Sequence, residues 1–356
     1  MSTSRTTPPG KGGLLLLQPA FLGDVVLSTA ALESWHAARP DDPISVLVRK
    51  EAAGLFEDHP FVRQVHIWDR TGWAKYPRLL TLSSACRKQE PDRVVNLHRF
   101  GSMAWLAGRV GSAHTSVFEG TPLEGRSGVT AWPHAIGDGR HETERNHALI
   151  ADIAGPFDPT TRPQLRPGRR HESAAKAWPE AGVILAPASV WATKRWPAEQ
   201  WSRLADALSE RWPQCPLVLL GGPSDAALLE SVRAGCRQAA PQVCAGDLNL
   251  LGSAALMARS NAVVSNDSAP LHMAGAVGCP VVGVFCSTTP SFGFGVLPGD
   301  RESGRGVDVE VSTEALACKP CGLHGHRRCP EAHFRCGVDL SVKQVLDAIG
   351  RVSSLP

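Results

Sequence analysis

Four turns in this chain carry residue types suited to holding a charged, phosphorylated ligand. In the first, Gly23-Asp24 follows a short apolar run and opens a helical pattern. The glycine lets a backbone or substrate come close, and the carboxylate lies at the carboxyl end of a strand, where doubly wound sheets bind ligands. Capping of the following helix accounts for Asp24 equally well. In the second, Ser189-Val190-Trp191-Ala192-Thr193-Lys194-Arg195-Trp196-Pro197, a lysine stands between a strand and a helix. Lys194 can reach inward as a point charge for phosphate, with the hydroxyls of Ser189 and Thr193 beside it. A solvated basic turn is the plainer alternative.

The third turn is Ser265-Asn266-Asp267-Ser268-Ala269-Pro270-Leu271-His272. Pro270 falls where a first helical residue is expected, and the unpaired N–H groups of that helix start, with the Ser268 hydroxyl, form an anion site. His272 either points the same way or is a satisfied, buried histidine. In the fourth, Gly221-Gly222-Pro223-Ser224-Asp225, the carboxylate stands where the acidic ribose ligand of a nucleotide stands, or simply caps an ordinary loop.

The elements that must position these turns alternate in type. Residues 14–18, 44–48, 65–68 and 94–97 read as strands, and 25–35 and 51–57 as helices. The Gly-rich stretch 127–138 is expected to be a loop, and 142–154 a helix. Residues 156–179 are rich in Pro, Arg and Gly, as an inter-domain linker is. A second set follows, with strands at 183–186, 217–220, 262–265 and 281–285 and helices at 198–211, 225–238, 250–259 and 270–277. A last helical pattern spans 341–352. Alternating strands and helices give parallel sheets with helices on both faces. The expected fold is α/β, two Rossmann-like doubly wound lobes with an intervening cleft. The expected domains are a disordered tail over 1–13, a first Rossmann-like domain over 14–170 and a second over 171–340. The helix 341–356 is a candidate to pack back on the first domain.

A length of 356 residues suits two domains rather than one. A net charge of +3 is too small for a nucleic-acid partner, which needs a dense basic face, yet it tolerates brief contact with an anionic membrane. The run 14–17 is cut off at Gln18-Pro19, too short for a secretory core, and no stretch is long enough to span a bilayer, so a cytoplasmic protein is expected. Cysteines are then not a disulfide framework. Cys318 and Cys321, spaced as a Cys-x-x-Cys pair, are followed by Cys329 and Cys336 with His324, His326 and His333 among them. Four thiolates suit a closed structural zinc or iron site; reduced, packed cysteines are the alternative.

In order and spacing these motifs resemble the lipopolysaccharide heptosyltransferases. The string from Leu16 to Thr29 is similar to that family's N-terminal signature. Thr193-Lys194-Arg195-Trp196-Pro197 and Asn266-Asp267-Ser268-Ala269-Pro270-Leu271-His272 resemble its two later motifs, with weaker echoes at 141–146 and 318–336. The resemblance implies a GT-B fold and metal-independent, inverting transfer of a sugar from a nucleotide diphosphate such as ADP-heptose. The acceptor it implies is lipid-linked or a glycan, met at the cytoplasmic membrane face. By motif position Asp24 is then the general base and Lys194 binds the donor phosphates. Asp267, Ser268, Ala269 and His272 hold diphosphate and sugar, and Asp225 the ribose. No cofactor is then needed for catalysis.

Ser268-Ala269 stands where the family usually has Thr-Gly, and Cys286-Ser287-Thr288-Thr289-Pro290 where Gly-Pro-Thr-Asp-Pro is common. These departures bear on which sugar is carried. A transferase acting on a protein or another glycan fits the same residues. A non-catalytic nucleotide-sugar binder or a nicotinamide-dependent oxidoreductase remains open, although no Gly-x-Gly-x-x-Gly turn follows the first strand.

Overall fold

The structure, a computed structural model, describes residues 11–73, 75–353 and 355, with the Lys75 backbone alone. The chain divides into two compact units. One holds the described residues up to Ala135 together with Glu142–Arg166; the other holds Ile136–His141 and the described residues from Pro167 onward.

In the first unit β1 (Leu14–Leu17) leads into α1 (Leu22–Ala38), β2 (Ile44–Arg49), a 3-10 helix (Lys50–Phe56) and β3 (Val62–Trp68). Then come α2 (Lys75–Arg87), β4 (Arg93–Asn96), α3 (Gly101–Val110), β5 (His114–Phe118), β6 (Val129–Trp132), α4 (Glu142–Ala148) and α5 (Ala151–Ala154). All strands pair in parallel, in the order β3-β2-β1-β4-β5-β6. Leu14 to Leu17 are all buried because β1 is central and covered on both faces, which is why it reads as an unbroken apolar run.

The second unit repeats the plan. It begins with α6 (Arg169–Ala175), β7 (Val183–Ala186), α7 (Ala198–Arg211), β8 (Leu217–Gly221), α8 (Ala226–Gly235), β9 (Gln242–Ala245) and α9 (Leu250–Ala258). It continues with β10 (Ala262–Asn266), α10 (Ala269–Ala276), β11 (Val281–Phe285), α11 (Pro298–Glu302), β12 (Gly306–Glu310), α12 (Arg335–Val338) and α13 (Val342–Val352). Its parallel order is β12-β11-β10-β7-β8-β9. In both sheets the order reverses beside the first strand, between β1 and β4 and between β7 and β10. A doubly wound sheet binds its ligand at the carboxyl edge of such a switch.

Several expectations are corrected. The stretch 127–138 contains β6, which adds to the sheet edge beside β5. The helix expected over 142–154 is two helices, and the linker 156–179 contains α6, which packs on α9. The tail expected over 1–13 lies outside the described residues as far as 10, but 11–13 are bonded. Lys11 pairs with Glu90, and the Gly13 N–H donates to Asp92 Oδ2 at 2.7 Å.

Helix α13, a candidate to pack on the first domain, belongs to the second unit and packs there against α7, β11 and β12. Its apolar stripe of Val345, Ala348, Ile349 and Val352 joins the core of Leu208, Val282 and Val309. Each fully buried side chain of that kind contributes about 1.5–3 kcal/mol. Ser341 caps it, accepting from the Gln344 N–H while the Gln344 side chain accepts from the Ser341 N–H.

Candidate active site

The turns after β7 and β10 meet at the switch of the second sheet, and a buried amide ties them together. Asn266, the last residue of β10, donates from Nδ2 to the Pro187 carbonyl at 2.7 Å. Its Oδ1 accepts from the Trp196 N–H at 3.0 Å. Asn266 therefore grips both ends of the turn that presents Lys194. Arg195 folds back within that turn, Nε donating to the Ser189 carbonyl at 2.6 Å. The two adjacent cations thus do different work. Ser189 contributes its carbonyl to the turn.

Lys194 Nζ lies 2.6 Å from Asp267 Oδ2, both side chains nearly buried. The Thr288 hydroxyl, from the loop after β11, donates to the same oxygen at 2.6 Å. A carboxylate so held fixes the ammonium in place, and an ammonium has three donors, so one pairing leaves others for a ligand's oxygens. Beside the pair, α10 starts at Ala269 with Pro270 second, and Ser268 stands at its N-cap without capping it. The Ser268 hydroxyl donates instead to the Asn266 carbonyl at 3.3 Å and lies 3.2 Å from the Ser265 hydroxyl. Amides at a helix start attract anions.

His272, in the following turn of α10, is buried. Burial pushes its pKa down to about 3, against the pull of Asp267 and with the push of His141 and Lys194. It is therefore neutral near pH 7, acting through one N–H and one lone pair and not as a cation. His141 belongs to this unit, with Nε2 3.1 Å from the Gly295 carbonyl.

The remaining predicted donor residues are placed differently. The Thr193 hydroxyl is taken by the cysteine-rich loop, donating to the Ser287 hydroxyl at 3.0 Å and accepting from the His326 N–H at 2.7 Å. Asp225 Oδ2 accepts from the Gly222 N–H at 2.9 Å and so caps its own turn after β8, the strand beside β7. Gly221 is required there: a Cβ would stand 2.9 Å from the Asp225 Cβ. Thr288, Asn266 and His141 are the residues that sequence reasoning passed over as site members.

Cys318, Cys321, Cys329 and Cys336 line one small cavity with His333. Among the described residues no group of three or more His, Cys, Asp or Glu is placed to hold a metal ion. The loop is anchored by Lys319, whose buried Nζ meets Glu310 Oε2 at 2.6 Å and donates to the Val311 and Phe285 carbonyls at 2.9 and 3.2 Å.

Asp24 lies in the first unit, third residue of α1 and half-buried; Phe21 holds the N-cap without a side-chain bond. A carboxylate in the first turn is favoured by the helix dipole. Asp24 lies near Arg49, at the end of β2, and its charge acts on that guanidinium. The weaker motif echo at 141–146 builds a buried pair in this unit, Arg145 Nε donating to Glu142 Oε2 at 2.9 Å.

The second unit thus joins a lysine–carboxylate pair to a helix start at the switch of a doubly wound sheet. The family model of glycosyltransferase family 9 (heptosyltransferase) matches residues 79–299. This chain belongs to that family and is a glycosyltransferase with the GT-B fold. It is 27% identical over 299 residues to lipopolysaccharide heptosyltransferase 1 of Pseudomonas aeruginosa, covering 78% of this chain and 80% of that protein. Its fold matches that of the E. coli ADP-heptose lipopolysaccharide heptosyltransferase II at a TM-score of 0.74 and 20% identity, covering 96% and 98% of the two chains. The family 9 transferase of Veillonella parvula matches at 0.78 and 20% identity, covering 98% and 99%. Family membership sets aside the oxidoreductase and the non-catalytic binder. Among the described residues no helix is long and apolar enough to cross a membrane.

Proposed function

We propose that the chain transfers a heptose from ADP-heptose, with inversion, to a hydroxyl of a lipopolysaccharide inner-core acceptor. The observation that carries this reading is the Lys194–Asp267 pair beside the start of α10, at the switch of the second sheet. The relatives named for heptose transfer to lipopolysaccharide support the sugar and the acceptor.

An acceptor hydroxyl is a poor nucleophile near neutral pH, so Asp24 takes its proton as the new bond to the anomeric carbon forms. The departing diphosphate gains charge in the same step. Lys194 and the amides of Ala269 and its neighbours stabilise that charge where it develops. Ser268 and neutral His272 orient phosphate and sugar oxygens, Asp267 and Thr288 hold Lys194 in position, and Asp225 takes the ribose with its second oxygen. Ser189 and Thr193 shape the lysine turn. No step calls for a metal. The first unit brings the acceptor and the second the donor. The acceptor's lipid places the enzyme at the cytoplasmic face of the inner membrane as a peripheral protein; the exposed rings of Trp73, Tyr76 and Phe100 among Arg70, Arg78 and Arg99 suit such contact.

At the cysteine loop, four thiols around one cavity have the donor chemistry of a structural zinc or iron site, which would staple the loop that holds Thr193. Elemental analysis of purified protein checks this: about one equivalent supports it, and metal-free folded protein rejects it.

A thermal-shift panel of ADP-, GDP- and UDP-sugars tests the donor. Stabilisation by ADP-heptose above the others is expected, followed by an α-configured product by NMR if the donor sugar is β-linked. Preference for another nucleotide, or retained configuration, contradicts the reading. Turnover on a protein or an unrelated glycan in place of the inner core would reassign the acceptor.

A further inference from the structure

Strand β12 lies at the edge of the second sheet, and two of its carboxylates grip the loop that follows β11. That loop, residues 286–297, reaches both ends of the candidate active site. Near its start Thr288 bonds Asp267, and near its end the Gly295 carbonyl lies 3.1 Å from His141 Nε2. A carbonyl only accepts, so Nε2 carries the proton and the ring of His141 is held in one orientation. Burial lowers the pKa of His272 and the charge of His141 adds to that, so the two rings lie close together.

The grip nearest Gly295 is that of Asp308. Its Oδ1 and Oδ2 accept from the Val296 N–H at 3.0 and 3.2 Å, and Oδ2 meets Arg301 Nη2 at 2.6 Å. Two glycines make room for it. A Cβ at Gly295 would stand 2.5 Å from Oδ2, and one at Gly283, in register with Asp308, 2.6 Å from Oδ1. Two positions further along β12, Glu310 Oε1 accepts from the Thr289 hydroxyl at 3.3 Å, so the loop is held near both ends. The charged groups around Asp308 are Arg301 and buried Asp300 on α11, Asp267 after β10, and Glu310 paired with Lys319. Arg211, Asp347 and Arg351 line an open cavity with it. Burial pushes the Asp308 pKa up to about 6, although Arg301 and the Val296 N–H pull it down. The carboxylate is therefore ionised at pH 7 and protonated at pH 5.

We infer that the Asp308 carboxylate latches the loop after β11, setting the Gly295 carbonyl and, through it, His141 beside His272 at the donor-sugar end of the site. Asp308 is a positioning residue here and meets no ligand. The inference rests on the transferase reading above and deepens it, since use of the activated sugar comes to depend on one buried charge that nucleotide binding does not need. Protonation removes the charge that holds Arg301 and weakens the bond to the Val296 N–H. The latch is closed above about pH 6 and opens as pH falls through that value.

The test uses the full chain and Asp308→Asn, which keeps the side chain's volume and imitates its protonated form. At pH 8 this variant should lower kcat/KM for ADP-heptose about 10-fold or more, while ADP affinity stays near the wild-type value. The two proteins should converge in kcat/KM as pH falls from 7 to 5, which a general loss of fold would not produce. His141→Gln, which keeps an N–H donor for the Gly295 carbonyl, should retain more activity than His141→Ala. Equal kcat/KM at pH 8, a deficit unchanged at pH 5, or ADP affinity lost in parallel overturns the inference, while transfer itself stands. A second reading needs no donor. In NMR of protein labelled at valine, the Val296 amide should titrate with a midpoint of about 6. That midpoint should rise in Arg301→Gln, and the titration should vanish in Asp308→Asn. If the wild type transfers sugar from no donor but the amide titrates, the transferase reading fails and the latch remains. An amide that ignores pH between 8 and 5 overturns the latch.

Discussion

The two units share one strand order and one switch geometry, yet their switch points are furnished in opposite ways. In the second unit the lysine is already paired with Asp267, the carboxylate is bonded to Thr288, and Asn266 clamps the turn. In the first, burial together with Arg49 and Arg70 keeps His98 neutral, and among the described residues Gln18 Oε1, Asn96 Nδ2 and His98 Nδ1 are buried without partners. The difference separates a turn whose charged groups are held by internal pairings from an edge where buried polar atoms are left unsatisfied. For the proposed donor, a diphosphate has the same shape on every molecule, so fixed dipoles suit it. Topology alone assigned neither role.

The largest effect expected from breaking this division is in the first unit. Asp24→Ala should lower kcat about 10²–10⁴-fold while ADP binding is kept, as removal of a general base does; undiminished turnover would take Asp24 out of the mechanism. Next comes the scaffold of the second unit. Lys319→Met removes the buried ammonium that pairs with part-exposed Glu310 and bonds the Val311 and Phe285 carbonyls, and should destabilise the fold by about 1–3 kcal/mol, read as a lowered denaturation midpoint. An unchanged midpoint would show that the cysteine loop is not anchored there.

Acid should weaken both units. The pKa values of His59 and His98 in the first and His272 in the second are pushed down to about 4, 4 and 3, mainly by burial. The unfolded chain binds protons at these histidines below about pH 6.5 while the folded chain does not. Stability is therefore full above that pH and declines as pH falls towards 4. A Tm that is flat from pH 7 to 5 would contradict this. The smallest effect expected is that of Thr288→Val, which removes one hydrogen bond to Asp267 and should weaken ADP binding several-fold, about 1 kcal/mol. Loss equal to that of Lys194→Ala would mean that Thr288 meets the ligand itself.

The central strands and the motif turns were legible because their physics is local. A strand covered on both faces, such as Val281–Phe285, is a continuous apolar run. The edge strands β6 and β12 escaped notice because Val-Thr-Ala-Trp and Gly-Val-Asp-Val-Glu are half-exposed and mix polar with apolar residues. The stripe on α13 announced a helix but fitted either sheet, and the choice lay in packing. Among site residues, Lys194 and Asp267 could be named from their turns, but their pairing could not. Thr288 was visible as a departure from a pattern, and its partner became evident when β11 was laid beside β10. His141 joins the second unit through a short segment that crosses from the first, a path no periodicity encodes.

The central claim is that the second unit holds the donor's diphosphate through Lys194 while Asp24 of the first acts on the acceptor. Calorimetric titration of ADP into the wild type, Lys194→Ala and Asp24→Ala tests it most directly. The expected result is affinity weakened about 10–100-fold by Lys194→Ala, the worth of a charge-assisted contact of about 1.5–3 kcal/mol, and unchanged by Asp24→Ala. Equal affinity in all three proteins, or weakening by Asp24→Ala alone, would contradict it.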